Sequence, residues 1–399
     1  MPAVKPEIMK WARDKAGMSL EEAAHALGVH NAHGKTGAER LAALEAGNEE
    51  PSRRFLQNMA HTYHRSLLIF YLEAPPKQGD RGQDFRLAPN AGPPAYDATL
   101  DTLLRDIKSR QRLVRSLLED EDALPIPFVG SAMMGDGPSV LAEQIAGTLS
   151  FRLTDFRGGR SVEDAFSYLR ARIEGAGIFV LLAGNLGSHH SNLPADIFRG
   201  FAISDPIAPF VVINDQDARA AWSFTALHEV AHIWLGATGV SGAAAGTALE
   251  RFCNDVASEM LLPASDLREI ASVQSRPFNE AVERITAFAA PRKISPSMVA
   301  YKLLRSEIIG EGRWLELKSL FQQGWLEREP RPHNEDIKSR GGPSYYVVRR
   351  HRLGPALLRL ISRSLGAGAI TPTKAGQVLG VKPRNVAPLL RDISPQGSA

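Results

Sequence analysis

The stretch Trp222-Ser223-Phe224-Thr225-Ala226-Leu227-His228-Glu229-Val230-Ala231-His232-Ile233-Trp234-Leu235 decides the reading of this chain. Within it, His228-Glu229-Val230-Ala231-His232 spells H-E-x-x-H. On a helix, residues i and i+4 share a face, so His228 and His232 can offer two imidazoles to one metal ion. Glu229 points beside them, where it can hold a water and take its proton. Two neutral imidazoles and a carboxylate suit zinc, which needs no redox partner and tolerates a low coordination number. Histidine pairs also occur on solvated helix faces. Here Ala226, Leu227, Val230, Ile233 and Trp234 give the helix an apolar back, which predicts a core helix with its histidines on a specified face.

A zinc site needs a third protein ligand. The next strong helix pattern runs from Leu249 to Leu262 and ends at Pro263, with Leu249, Phe252, Cys253, Val256 and Met260 as its apolar stripe. Glu250 opens it, far enough beyond His232 for the chain to turn and lay a second helix against the first. Asn254 stands one turn later, where it can hold a histidine Nδ1–H. Glu250 is therefore assigned as third ligand and Asn254 as its supporting residue. The plainer alternative makes Glu250 a helix N-terminal acid favoured by the dipole. Glu259 is the competing carboxylate, at the far end of the same helix.

These helices resemble the ImmA/IrrE family of metallo-endopeptidases. The matching text is Phe198-Arg199-Gly200-Phe201, Ala208 through Asn214, Phe224 through His232, and Glu250 through Pro263. The resemblance implies Zn2+ held by His228, His232 and Glu250, with Glu229 as general base. Two departures, Ala226 where leucine is common and Cys253-Asn254 where an alanine-asparagine pair is usual, remove no ligand. The resemblance also implies a protein substrate, a transcriptional repressor whose cleavage frees stress, mobile-element or phage genes.

A length of 399 residues suggests two or three domains, and 44% hydrophobic with 23% charged residues is the composition of a globular protein. The net charge of +3 permits nucleic-acid contact without showing it. One cysteine, Cys253, forbids an intrachain disulfide and fits a reducing cytosol. The N-terminus has no signal-peptide pattern and no apolar run approaches membrane-spanning length, so a cytoplasmic protein is expected, with no membrane partner.

Residues 1–73 read as short helices. Ser19 and Glu22 form a capping box ahead of Leu20 through Val29, a third helix runs near Glu39–Glu45, and Pro51-Ser52 opens a fourth. The segment resembles a phage-repressor-type helix-turn-helix and so makes DNA a candidate partner. Glycines at the expected recognition helix and balanced charge leave no strong phosphate footprint. Residues 74–125 form a linker and one long amphipathic helix from 97 to 121, whose basic face reads as solvated. The metallopeptidase domain spans 126–327. Its strands are expected at 177–182, 198–203 and 209–213, as a small antiparallel sheet whose edge could pair with an extended peptide. His189-His190 reads as an exposed loop, and Tyr301 as a packing residue before it is a catalytic helper. A second linker covers 328–343. Residues 344–399 make a C-terminal helical domain with a strand-like run at 344–348, a helix from 353 to 365, and another opening at Thr371-Pro372.

The sequence thus predicts an α+β, mainly helical fold: an N-terminal helix-turn-helix bundle, a central zincin-like domain and a small C-terminal helical domain. The function expected is a zinc-dependent endopeptidase. The alternatives are a DNA-binding regulator with a metallopeptidase-like sensor domain, or a toxin–antitoxin component.

Overall fold

A computed structural model of the chain describes residues 4–32, 34–63, 65, 67–74, 94–187, 191–241, 248–328 and 344–391. Both expected linkers lie largely outside these residues, as do His189 and His190. The chain divides into two compact units, Met1–Ile107 with Asn185–Leu193, and Lys108–Gly184 with Pro194–Ala399. Among the described residues no helix is long and apolar enough to cross a membrane.

The first unit holds α1 (Pro6–Lys15), α2 (Leu20–Ala26), α3 (Gly37–Glu45) and α4 (Arg53–Thr62). The Ser19 hydroxyl accepts from the Glu22 amide while the Glu22 carboxylate accepts from the Ser19 amide, so the expected capping box closes. Thr36 and Glu39 repeat the device at α3. Ile8, Met9, Ala12, Leu41, Leu56, Met59 and Tyr63 fill the core. Arg13 and Glu45 tie α1 to α3 at 2.8 Å. The connection from α2 to α3 runs through residues 27–36, longer than the three- or four-residue turn of a tight helix-turn-helix.

Helix α5 (Pro94–Asp120) follows. The second unit continues with α6 (Pro138–Thr148), α7 (Leu153–Arg157), α8 (Val162–Gly175), β1 (Phe179–Leu182), β2 (Gly200–Ile203), β3 (Phe210–Ile213), α9 (Arg219–Trp234), β4 (Gly239–Ser241) and α10 (Ala248–Leu261). Beyond them come α11 (Phe278–Ala289), α12 (Pro296–Arg305), α13 (Glu311–Arg328), α14 (Tyr345–Leu353), α15 (Pro355–Gly366), α16 (Pro372–Leu379) and α17 (Val386–Leu390). This is the mainly helical α+β layout that the sequence predicts.

The sheet order is β1-β3-β2-β4. It is mixed, not wholly antiparallel as expected: β2 pairs antiparallel with β3 and β4, but β1 pairs parallel with β3, Val180 opposite Val211. Parallel strands need a crossover. The long segment from Ala183 to Pro209, which includes β2, carries the chain round so that β3 re-enters beside β1. Strand β3 is buried along its whole length and takes a central place.

A second correction concerns residues 344–348, where the run from Tyr345 is helical. The Ser344 hydroxyl caps α14 by accepting from the Val347 amide, and α14 packs on β1. Among the described residues no strand pairs with this run, so the capped helix prevails over β-propensity. The C-terminal helices belong to the second unit and are fastened to it through Arg170 of α8. Its guanidinium donates to Glu174 at 3.1 Å, to the carbonyls of His351 at 2.6 Å and Arg352 at 3.4 Å, and to that of Val180. Glu174 accepts in turn from the Ala356 amide at 2.9 Å. Gly354 crosses this pair at φ +81°, and a Cβ there would stand 2.3 Å from both charged side chains.

Candidate metal centre

Helix α9 is buried on nearly every side. Trp222 meets Phe166 edge-on at 5.4 Å, and Trp234 stacks on Phe128 at 4.0 Å. The turn into α9 is locked by Asn214, which accepts from the Gln216 amide and donates to the Phe198 carbonyl, each at 2.9 Å. Arg352 holds the neighbouring Asp215 at 2.6 Å. The helix therefore has little freedom to roll, and its two histidines point one way.

They point at Glu250. The Nε2 atoms of His228 and His232 lie 3.1 Å apart. The Glu250 carboxylate approaches His228 at 3.2 Å and His232 at 3.3 Å. A tetrahedral zinc site with ligands at 2.0–2.1 Å has ligand–ligand edges of about 3.3 Å, so the three donor atoms fit the ion's footprint. Among the described residues they form a cluster able to hold a metal. The chemistry of the donor set agrees. Burial opposes the charge on Glu250, yet the two imidazoles outweigh it and hold the carboxyl down to about 2. Burial also lowers His228. At His232 burial acts the same way but is overcome by Cys253, Glu250 and Glu229, which leave this imidazole well above its ordinary value. Three groups this close and this buried are stabilised by a cation between them.

Glu229 is fully buried and stands against β2. A Cβ placed on Gly200 would lie 2.8 Å from its Oε1, 2.7 Å from Thr225 Cγ2 and 3.0 Å from the Val212 carbonyl oxygen. The missing side chain at Gly200 is thus the room in which the Glu229 carboxylate sits. We predict that Gly200→Ala lowers turnover by about 10- to 100-fold through misplacement of Glu229, with metal content unchanged. Parallel measurement of kcat and bound metal checks this, and an unaltered kcat would show that Gly200 does not set the carboxylate's position.

The remaining expected residues fall as follows. Asn254 favours the charged form of the His228 ring, and Cys253 does the same for His232. The hydrogen bond expected from Asn254 to a histidine Nδ1 does not close: both Nδ1 atoms are buried with no hydrogen-bond partner among the described residues, and the rings have turned Nε2 toward Glu250. Glu259 is engaged by Lys302, away from the cluster. Tyr301 donates to Asp255 at 2.7 Å, and Arg305 chelates the same carboxylate. Sequence reasoning misses the roles of Gly200 and Cys253, although both residues lie within text that carries the family resemblance.

Comparison with the curated proteins and with the solved structures gives no match. Residues 181–304, the segment from β1 to α12 that holds the whole constellation, match the family model of the IrrE N-terminal-like domain, Peptidase_M78, and this match supports an ImmA/IrrE-type, metallopeptidase-like assignment for that part of the chain.

Proposed function

We propose that this protein is a zinc-dependent endopeptidase acting on a protein substrate, a transcriptional repressor in stress or mobile-element gene control. The observation that carries the reading is the convergence within 3.3 Å of His228 and His232, on the helix that also buries Glu229, with Glu250 of α10. A zinc ion held there supplies Lewis acidity, polarising a carbonyl and acidifying water at neutral pH. The two imidazoles and Glu250 orient it. Glu229 takes the proton of the attacking water on a carboxylate oxygen and returns it to the leaving amine nitrogen. Strand β4 closes one edge of the sheet and pairs Ser241 with Gly200. An extended peptide could add along that edge, which favours an unfolded or loop segment as the cleaved region. The repressor as substrate rests on the family resemblance.

Metal analysis tests the assignment. Purified protein is expected to take up about one zinc per chain, and Glu250→Ala to weaken that binding by about tenfold or more. Glu259→Ala is the control, because Lys302 already holds that carboxylate. A protein that takes up no zinc, or one stripped of zinc by Glu259→Ala alone, would sink the reading.

A further inference from the structure

The charge of the chain is unevenly spread. Residues 344–399 carry nine Lys and Arg against one acidic residue, Asp392, a net charge of +8. The whole chain is +3, so residues 1–343 carry −5. In residues 1–74, where the sequence suggests DNA binding, nine basic residues face nine acidic ones. A charge asymmetry of this size marks the segment that meets a polyanion.

The fold of that segment says which polyanion. Helix α16 ends at Leu379, and Gly380 takes the left-handed conformation at φ 61°, ψ 39°. The Val381 amide then donates back to the Gly376 carbonyl at 2.9 Å. After Lys382 the chain starts helical again, as a 3-10 turn at Pro383–Asn385 that runs into α17. Two helical pieces are thus joined by residues 380–382, the tight glycine-bearing turn of a helix-turn-helix. The packing fits the turn. A Cβ on Gly376 would lie 2.7 Å from the Val381 carbonyl oxygen, so only glycine lets the turn pass. Ala375, Val378, Leu379, Val386 and Leu389 are buried between the helices.

The exposed surface of the turn and the second piece is basic. Lys382, Arg384 and Arg391 are exposed, and Ala387 between them is exposed and small, which lets a helix approach base edges closely. The mount is rigid. Arg349 donates to the carbonyls of Leu379 and Gly380 at 2.8 and 2.9 Å, and Arg350 to those of Leu389 and Pro388 at 2.7 and 3.0 Å. Both guanidiniums sit at helix C-termini, where the dipole favours them.

We propose that residues 371–391 are a duplex-DNA-binding element, with the 3-10 turn at Pro383–Asn385 and α17 entering the major groove and Lys382, Arg384 and Arg391 meeting phosphates. The inference is independent of the peptidase chemistry.

The test uses the full-length protein and a fluorescein-labelled mixed-sequence duplex of about 30 base pairs, read by anisotropy between 50 and 200 mM salt. Wild type is expected to bind at the low end and to weaken steeply with salt. Lys382→Ala with Arg384→Ala is expected to weaken binding about tenfold or more, and to lower the salt slope by about 2, near 0.9 for each phosphate left unneutralised. Arg172→Ala with Lys318→Ala removes two exposed charges elsewhere and is expected to leave binding within about twofold. Both pairs lie on the surface, and an unchanged thermal midpoint certifies the fold. The proposal is overturned if folded wild type does not bind duplex at 50 mM salt, if the two pairs weaken binding equally, or if a single-stranded RNA of equal length binds as tightly.

Discussion

Glu229→Gln is expected to abolish hydrolysis while the protein stays folded and metal-loaded. The amide keeps the shape of the buried carboxylate, so it fits the same space beside Gly200 and leaves the packing of α9 undisturbed. What it loses is the ability to receive a proton. A positioned general base contributes about 10²–10⁴-fold, and the loss in kcat should fall in that range with zinc stoichiometry unchanged. Single-turnover cleavage of a repressor substrate, run beside metal analysis on the same preparation, makes the measurement. If the variant cleaves as fast as the parent, Glu229 is not the base. If it loses metal, its role is structural.

Arg170→Ala should produce the largest loss of stability. The Arg170 and Glu174 side chains are 6% and 2% exposed. Removing one member of a buried pair strands the other, at a cost of about 3–5 kcal/mol. It also deprives the carbonyls of Val180, His351 and Arg352 of a donor. Burial already raises the Glu174 carboxyl above the usual range, against the pull of Arg170. A raised carboxyl contributes its full stability below its unfolded value, near 4.3, and loses it as pH climbs through the folded one. Without Arg170 the folded value rises further, so the penalty should be larger at pH 7 than at pH 5. Urea midpoints of parent and variant at the two pH values test this. Equal penalties at both would mean that Glu174 finds another partner.

Local spacing explains what was legible. His228, Glu229 and His232 fall within five residues of one helix, so their shared face follows from helical geometry alone. Glu250 was readable because the stripe from Leu249 to Met260 announces a second helix. Gly200 was not readable, since the meaning of an absent Cβ depends on what stands opposite, here a side chain from another element. The parallel pairing of β1 with β3 is non-local in the same way; each strand reads correctly alone, and their direction is set by the intervening chain. Tyr345 through Val348 mislead because four β-favouring residues look like a strand until Ser344 and the surface of β1 decide otherwise. The charge of the C-terminal segment is open to counting in the sequence, but a whole-chain total of +3 conceals it.

The hydrogen bonds of Arg170 also set an order of events in folding. The one from Arg170 to the His351 carbonyl closes a span of 181 residues. Pairings of that separation form late, because the chain entropy they cost is recovered only once both ends are in place. During synthesis the guanidinium of α8 has only Glu174 and the Val180 carbonyl within its own stretch of chain, and gains its remaining acceptors once residues 351–352 have left the ribosome. Strand β1 and the turn holding Asp215 gain their C-terminal cover at that moment. A chain halted after α13 would therefore leave Asp215, at the turn into α9, without Arg352.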